Sequence, residues 1–215
     1  MSHNLIILLR RIKILKKVKI IHRLGIMGGV FDPIHFGHLF TAEEARNEFR
    51  LDKVLFIPCR HPVHKREDGV SNPNDRYLMT RMAIKDNPFF EVSKIELERS
   101  GPSYSIDTVK TLLAEYEYQI EIFFITGADA FLTIDTWHKS EELINLCQFV
   151  AATRPGYDLN NLDQKFKKII KIMEIPLLYI SSTDIRRRIK EGRNIKYLLP
   201  EKVEEYIYKK RLYRI

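Results

Sequence analysis

Apolar runs and amphipathic stretches alternate along the whole chain. The run "IEIFFIT" (Ile120–Thr126) is almost continuously apolar, as in strands buried on both faces. The stretch Ser105–Tyr116 instead repeats its apolar residues at helical spacing. The pattern predicts strands at Arg23–Met27, Lys53–Pro58, Phe89–Leu97, Ile120–Thr126, Phe149–Arg154 and Pro176–Ser181. It predicts helices at Gly37–Phe49, Asp75–Ile84, Ser105–Tyr116, near Phe131, and at Ser140–Leu146, Thr183–Lys190 and Pro200–Lys210.

This alternation predicts an α/β fold: a doubly wound, mainly parallel sheet with helices on both faces. In such sheets, ligands bind beyond the carboxyl ends of the strands. The stretches richest in reactive and polar side chains lie at such ends, after Met27, Pro58, Thr126 and Ser181. We therefore expect one binding cleft at this edge.

The charge of the chain is concentrated in an N-terminal extension. The 215 residues carry a net charge of +8, but residues 1–24 hold seven basic residues and no acidic one. The rest has 29 basic against 28 acidic residues. A nearly neutral body argues against a nucleic-acid partner. We expect residues 1–23 to be an extension and residues 24–215 to form a single domain.

The sequence of the extension argues against a membrane-spanning segment. Its apolar run Leu5–Leu9 has five residues, too few to cross a bilayer, and nothing in it resembles a secretory signal. It is either a dispensable tail or a basic amphipathic helix that touches a membrane surface or an acidic partner. Cys59 and Cys147 lie far apart and match no metal or redox spacing, which favours a reduced, cytoplasmic protein.

The stretch "GIMGGVFDPIHFGHL" (Gly25–Leu39) predicts an anion site. Gly28 and Gly29 let backbone amides approach a ligand, and the helix that follows has unpaired amides and a positive dipole at its start. His35 and His38 add donors when protonated. The stretch is neither a P-loop nor a dinucleotide fingerprint. No cluster of Cys or His completes a metal site, so we expect none.

A second anion site is predicted at "SSTDIRRRI" (Ser181–Ile189). A strand ends at Ser181, and Ser182 or Thr183 can cap the helix that follows. Arg186 lies one turn into the helix and can reach back to a phosphate. Arg187 and Arg188 belong to a solvated face.

The segment Gly28-Gly29-x-Phe31-Asp32-Pro33-x-His35-x-Gly37-His38 resembles the signature of the HxGH nucleotidyltransferase superfamily. Within it, the chain is most similar to the bacterial nicotinate-nucleotide adenylyltransferases. The similarity covers about residues 24–215, and five more motifs follow in the order of that family: "PVHK" (62–65), "SYSIDT" (103–108), "GADAF" with "TW" (127–137), "TRPG" (153–156) and "ISSTDIR" (180–186).

The resemblance implies a role for each motif. The ATP-binding residues would be Gly28, Gly29, Val30, Phe31, His35, His38, Ser181, Ser182, Thr183 and Arg186. The mononucleotide-binding residues would be Lys65, Tyr104, Thr108, Gly127, Asp129 and Trp137, with Trp137 stacked on the pyridine ring. The catalytic set would be His35, His38, Lys65 and Arg186. Arg154 is a candidate near the adenine, and Mg²⁺ would be carried by ATP.

The implied reaction joins nicotinate mononucleotide and ATP into nicotinate adenine dinucleotide and pyrophosphate, on a Rossmann-like nucleotidyltransferase fold. Alternatives are a nicotinamide-mononucleotide or phosphopantetheine adenylyltransferase. A further alternative is a basic RNA- or membrane-associating protein on a degenerate scaffold. The sequence leaves the oligomeric state open.

Overall fold

A single parallel sheet organises the protein. The structure, a computed structural model, describes residues 22–61, 69–131, 133–153, 169–176 and 178–214. Within these ranges the strands are β1 (Arg23–Gly29), β2 (Lys53–Pro58), β3 (Phe90–Val92), β4 (Glu121–Gly127), β5 (Gln148–Thr153) and β6 (Ile170–Glu174). They lie in the order β3-β2-β1-β4-β5-β6, and every neighbouring pair is parallel. The predicted sheet is confirmed.

Helices cover both faces of the sheet. They are α1 (Phe36–Glu48), α2 (Pro73–Ala83), α3 (Ile95–Glu98), α4 (Ser105–Glu115), α5 (Ala128–Phe131), α6 (Ser140–Leu143), α7 (Ser182–Lys190) and α8 (Glu201–Lys210), with a 3₁₀ turn at Ile134–Thr136. Buried residues of α1, α2, α7 and α8 share one apolar core, and those of α4, α5 and α6 share another. The two cores lie on opposite sides of the sheet, because alternate residues of β1 contribute to each: Ile26 to one and Met27 to the other. The predicted doubly wound architecture is confirmed.

The two central strands separate at their carboxyl ends. The pairing of β1 with β4 stops at Ile26 and Phe124. The pairing of β1 with β2 continues to Gly29, and that of β4 with β5 continues to Gly127. The last three residues of β1 therefore pair only with β2, and the last three residues of β4 pair only with β5. The gap between them is the point where the strand order reverses, which is where open α/β sheets bind ligands.

One predicted strand is wrong in part, and another has no counterpart among the described residues. The stretch Phe89–Leu97 is a strand only over Phe90–Val92, because the Ser93 side chain accepts a hydrogen bond from the backbone N–H of Ile95 (3.1 Å) and a short helix begins. The sixth strand is Ile170–Glu174, and the described residues of Pro176–Ser181 form none. Pro176 has no N–H for a ladder, and Tyr179 is 84% exposed.

The strand β1 begins one residue earlier than the predicted domain. Arg23 belongs to this strand and forms an ion pair with Glu121 (3.2 Å). The remaining extension, residues 1–21, lies outside the described residues. Of the helices that the structure describes, none combines the length and apolar character needed to span a membrane. Cys59 and Cys147 are free and buried, and burial raises the pKa of their thiols to about 11 and about 12.

Candidate active site

Two cavities meet in the gap between β1 and β4. The larger has a volume of about 750 Å³ and the smaller about 280 Å³. Gly28, Gly29, Val30 and Thr126 line both of them. A thin strip of backbone at the end of β1 therefore forms the wall that the two cavities share. We call this strip, Gly28–Val30, the shared wall.

The histidine turn lies in the larger cavity. His35 is the residue before α1, and only 6% of its surface is exposed. Its backbone N–H donates to Nδ1 of His38 (3.3 Å). Any side chain at Gly37 would bring its Cβ within 3.0 Å of the His35 ring, so the glycine lets that ring lie flat on the turn. The sequence "HFGH" therefore packs both imidazoles onto the first turn of one helix.

Burial determines the protonation state of His35. Burial lowers the pKa of His35 from its ordinary 6.5 to about 4. Its Nδ1 atom is buried and has no hydrogen-bond partner among the described residues. Near pH 7 the unliganded protein therefore holds a neutral imidazole here, so the donor that a protonated His35 would add is not present in that state. A neutral ring still offers one N–H donor.

The start of α7 lies beside the same turn. The Ser181 side chain caps this helix by accepting from the backbone N–H of Asp184 (3.1 Å), so the predicted caps Ser182 and Thr183 are wrong. The Ser182 hydroxyl instead donates to the carbonyl of Pro33 (2.8 Å). This bond ties the second predicted anion site to the first.

Arg186 completes the larger cavity. Its Nη1 donates to the carbonyl of Asp32 (2.7 Å), and its Nη2 donates to the Thr183 hydroxyl (3.4 Å). Both Thr183 and Arg186 line the cavity with His35 and His38. Five residues expected on the ATP phosphates thus line one cavity: His35, His38, Ser182, Thr183 and Arg186. Ser181, also expected there, lines neither of the two cavities. Arg187 and Arg188 pair with Asp184 on the outer side of the helix (2.5 and 2.7 Å).

The smaller cavity contains three of the six residues expected on the mononucleotide. Tyr104, Thr108 and Trp137 line it. The Tyr104 ring stacks on His138 with centroids 4.3 Å apart, and the half-buried Trp137 packs its ring edge-on to Phe124 at 5.8 Å. The cavity is therefore walled by aromatic faces that suit a flat ring.

The Thr108 hydroxyl is already engaged. It donates to the carboxyl of Glu96 (2.7 Å) and accepts from Arg99 (3.0 Å), and Thr108 is only 2% exposed. Burial raises the pKa of Glu96 above its ordinary value. A ligand carboxylate that accepted from the Thr108 hydroxyl would have to displace Glu96, because the hydroxyl has only one hydrogen to donate.

Some lining residues were missed by sequence reasoning. Ser105, Glu96 and His138 line the smaller cavity. Ser105 is the first residue of α4, a boundary that was predicted correctly, so the helix start itself was the available signal. His138 follows the only tryptophan of the chain, and its role becomes visible only through the stacking on Tyr104.

Gly127 and Asp129 lie on a different cavity from the one expected. Both line the larger cavity and not the smaller one. A Cβ at position 127 would come within 2.5 Å of Oδ1 of Asp129, so the glycine makes room for that carboxylate at the end of β4. Lys65 and Arg154 lie outside the described residues. The part of the chain that the structure describes holds no group of three or more His, Cys, Asp and Glu side chains that could bind a metal.

Comparisons with known proteins identify the family of this chain. The sequence model of the family described as cytidylyltransferase-like matches residues 26–188. A protein of Thermoanaerobacter sp. (strain X514) named "Probable nicotinate-nucleotide adenylyltransferase" is 54% identical over 199 residues, which cover 89% of this chain and 94% of the relative. A protein of the same name from Moorella thermoacetica is 51% identical, with 89% and 92% covered.

A solved structure has the same fold. The nicotinic acid mononucleotide adenylyltransferase of Plasmodium falciparum, solved in complex with NaAD, aligns with a TM-score of 0.73 over 89% of this chain and 97% of its own. Its sequence identity is 23%, so this likeness concerns the fold. On the sequence matches, the chain belongs to the cytidylyltransferase-like family and, within it, to the nicotinate-nucleotide adenylyltransferases.

Proposed function

We propose that this protein joins ATP and nicotinate mononucleotide to form nicotinate adenine dinucleotide and pyrophosphate. The observation that carries the proposal is the shared wall between the two cavities. Two nucleotides that enter from opposite sides of Gly28–Val30 meet with their phosphates at that strip. The family membership and the buried, free cysteines suit a step of nucleotide metabolism in the cytoplasm.

We assign ATP to the larger cavity. His35, His38, Thr183 and Arg186 converge there, and cationic or N–H donors are what a triphosphate needs. The capped start of α7 adds backbone amides and a favourable dipole. Asp129 and Gly127 line this cavity too, so we assign them to the adenylate side or to the junction and not to the pyridine ring.

We assign the mononucleotide to the smaller cavity. Trp137 and Tyr104 supply aromatic faces for the pyridine ring. The first turn of α4, at Ser105, offers backbone amides to the carboxylate of nicotinate. Lys65 remains our candidate for the phosphate of the mononucleotide on the basis of the sequence motif.

The chemistry needs no general base from the protein. The 5′-phosphate oxygen of the mononucleotide is already an anion, and it attacks the α-phosphorus of ATP in line while pyrophosphate leaves. The protein orients the two reactants and stabilises the charge that develops on the α-phosphate. His38 and Arg186 donate to the phosphate oxygens, and the amides of the shared wall receive the α-phosphate.

Mg²⁺ fits this site as an ion carried by ATP. The described residues lack a cluster of metal ligands, and Mg²⁺ typically keeps water and phosphate oxygens as ligands. Bound in that way, it neutralises part of the triphosphate charge.

A pyrophosphate-release assay tests the proposal. The wild-type protein is supplied with ATP and Mg²⁺ and with either nicotinate or nicotinamide mononucleotide. We expect turnover with both and a kcat/KM that is larger for nicotinate mononucleotide. A preference for the amide would move the assignment to the nicotinamide enzymes, and no release with either would refute it.

A further inference from the structure

A fully buried arginine lies behind the shared wall. Arg76, on α2, has 0% of its surface exposed. Its Nη1 donates to the carbonyl of Val30 (2.7 Å), its Nε to the carbonyl of Ser71 (3.0 Å) and its Nη2 to the carbonyl of Arg60 (3.4 Å). One guanidinium therefore joins the segments that follow β1, follow β2 and precede α2.

Among the residues that the structure describes, the charge of Arg76 has no carboxylate partner. Within the described ranges it forms no ion pair, and its hydrogen bonds go to backbone carbonyls, with the buried Cys59 thiol alongside. Burying a charge without a counter-ion is costly, and an apolar residue of similar size would avoid that cost. The position of Arg76 therefore calls for an explanation beyond stability.

The bond to Val30 fixes the direction of the next amide. A peptide unit is planar and trans, so the N–H of Phe31 points opposite to the carbonyl of Val30 and away from Arg76. Phe31 has a φ of +49°, in the left-handed region that a non-glycine residue rarely adopts. Successive backbone amides in such a turn form an anion-binding concavity. Phe31 lines the larger cavity, next to the shared wall.

A second chain of bonds supports the same turn. The backbone N–H of Ser71, whose carbonyl accepts from Arg76, donates to Oδ2 of Asp32 (3.2 Å). The carbonyl of Asp32 in turn accepts from Arg186 (2.7 Å). Arg76 is thus connected through Ser71 and Asp32 to a residue that we assign to the ATP phosphates.

We propose that Arg76 is a positioning residue for adenylyl transfer. It holds the Val30–Phe31 peptide so that the Phe31 amide faces the junction of the cavities, and its positive charge favours the phosphates gathered there. This inference rests on the proposed function, since it needs phosphates at that junction. It assigns Arg76 no contact with either substrate.

The test compares Arg76→Lys and Arg76→Met with Arg81→Met, a matched change at an exposed position on the same helix. Lysine keeps the charge but presents a single ammonium that cannot hold three separated carbonyls in the fork geometry of arginine. We expect kcat to fall at least about tenfold for Arg76→Lys and further for Arg76→Met, as loss of preorganised donors does. Arg81→Met is expected to match the wild type.

Binding of the mononucleotide separates positioning from loss of structure. Trp137 is the only tryptophan and lines the smaller cavity, so its fluorescence reports that cavity. We expect the Kd for nicotinate mononucleotide in both Arg76 variants to stay within about twofold of wild type, because Arg76 acts on the amide at the junction and not on the aromatic pocket.

Three results would overturn the inference. One is an Arg76→Lys variant with wild-type kcat per folded molecule. Another is an equal loss of mononucleotide binding and of turnover. The third is that neither variant folds with both substrates present, since a positioning role requires a fold that survives the exchange. A wild-type protein that releases no pyrophosphate would instead refute the proposed function itself.

Discussion

The imidazole rings of His35 and His38 are stacked, with their centroids 3.8 Å apart and their planes inclined by 28°. Because the backbone N–H of His35 donates to Nδ1 of His38, the proton of a neutral His38 ring is on Nε2. The Phe31 ring packs edge-on to His38, with the ring centroids 5.1 Å apart. His38 lines the larger cavity, where its ring is held by the bond from the His35 backbone and by the stacking on His35.

Because of this arrangement, we expect the activity to be sensitive to mutation of His38. We expect His38→Ala to lower kcat/KM by at least ~100-fold, about 2.7 kcal/mol of transition-state stabilisation, as for loss of one preorganised donor. Steady-state kinetics with both substrates measure the change. His22→Ala, at an exposed position beyond the opposite end of β1, is the control. Near-normal turnover of the folded His38→Ala variant would remove this residue from the mechanism.

The aromatic wall of the smaller cavity predicts a different kinetic effect. Trp137→Ala should raise the KM for the mononucleotide by about tenfold, since one stacking face is lost, and leave the KM for ATP within about twofold. Tyr118→Ala removes an exposed aromatic ring elsewhere and should change neither constant. An effect confined to the KM for ATP would show that the two nucleotides have been assigned to the wrong cavities.

Burial of His35 predicts a pH-dependent stability. The pKa of His35 is about 4 in the folded protein against 6.5 ordinarily, so the unfolded chain takes up its proton first as the pH falls. The stabilisation is complete above about pH 6.5 and is lost progressively toward pH 4. Between pH 7 and pH 5 we expect His35 to reduce the free energy of unfolding by about 2 kcal/mol.

Urea unfolding across that pH range measures the effect of His35. The variant His35→Gln cannot take up this proton, so its stability should fall less steeply than that of the wild type. Parallel pH profiles for the two proteins would contradict the assignment of a neutral, buried His35.

The C-terminal end of the chain supports the histidine turn. The hydroxyl of Tyr213 donates to Oδ1 of the buried Asp32 (2.6 Å). We expect Tyr213→Phe to lower the free energy of unfolding by about 1–3 kcal/mol, because a buried carboxylate oxygen loses its donor. Tyr197→Phe, at a residue that is 80% exposed, is the control and should change little. Equal stabilities of the two variants in urea would show that the bond to Asp32 is unimportant.

The basic extension is expected to be dispensable for catalysis. Deletion of residues 1–21 leaves β1 complete, since that strand begins at Arg23. We expect kcat and KM within about twofold of the full chain, because the deleted residues precede the amino end of β1 in the sequence, whereas the carboxyl end of β1 lines the cavities. A truncated protein that folds but loses turnover would show that our division between extension and domain is wrong.

The sequence was sufficient for the sheet and most of the helices, because their apolar periodicity is strong. Prediction from the sequence failed where a single local contact determined where a strand or a helix begins or ends. Ser93 ends a strand by accepting from a nearby amide, and Pro176 interrupts an apolar run that otherwise favours a strand. The cap at Ser181 was missed for the same reason: three hydroxyl residues in a row offer three caps, and only the fold selects one.

The candidate site could be located from the motifs, but not its internal support. Arg76 is an arginine in a helix, which the sequence alone favours as exposed. Its burial depends on carbonyls contributed by three separate segments, including those of Val30 and Arg60. The assignment of Gly127 and Asp129 to one cavity or the other likewise depends on where β4 separates from β1, which no local pattern encodes.

The shared wall has a consequence for inhibition of the enzyme by its product. In the proposed assignment the dinucleotide product would span Gly28–Val30 and occupy both cavities at once, so it would compete with each starting nucleotide for its binding site. Accumulating product would then inhibit the binding of both substrates, and no separate regulatory site would be needed.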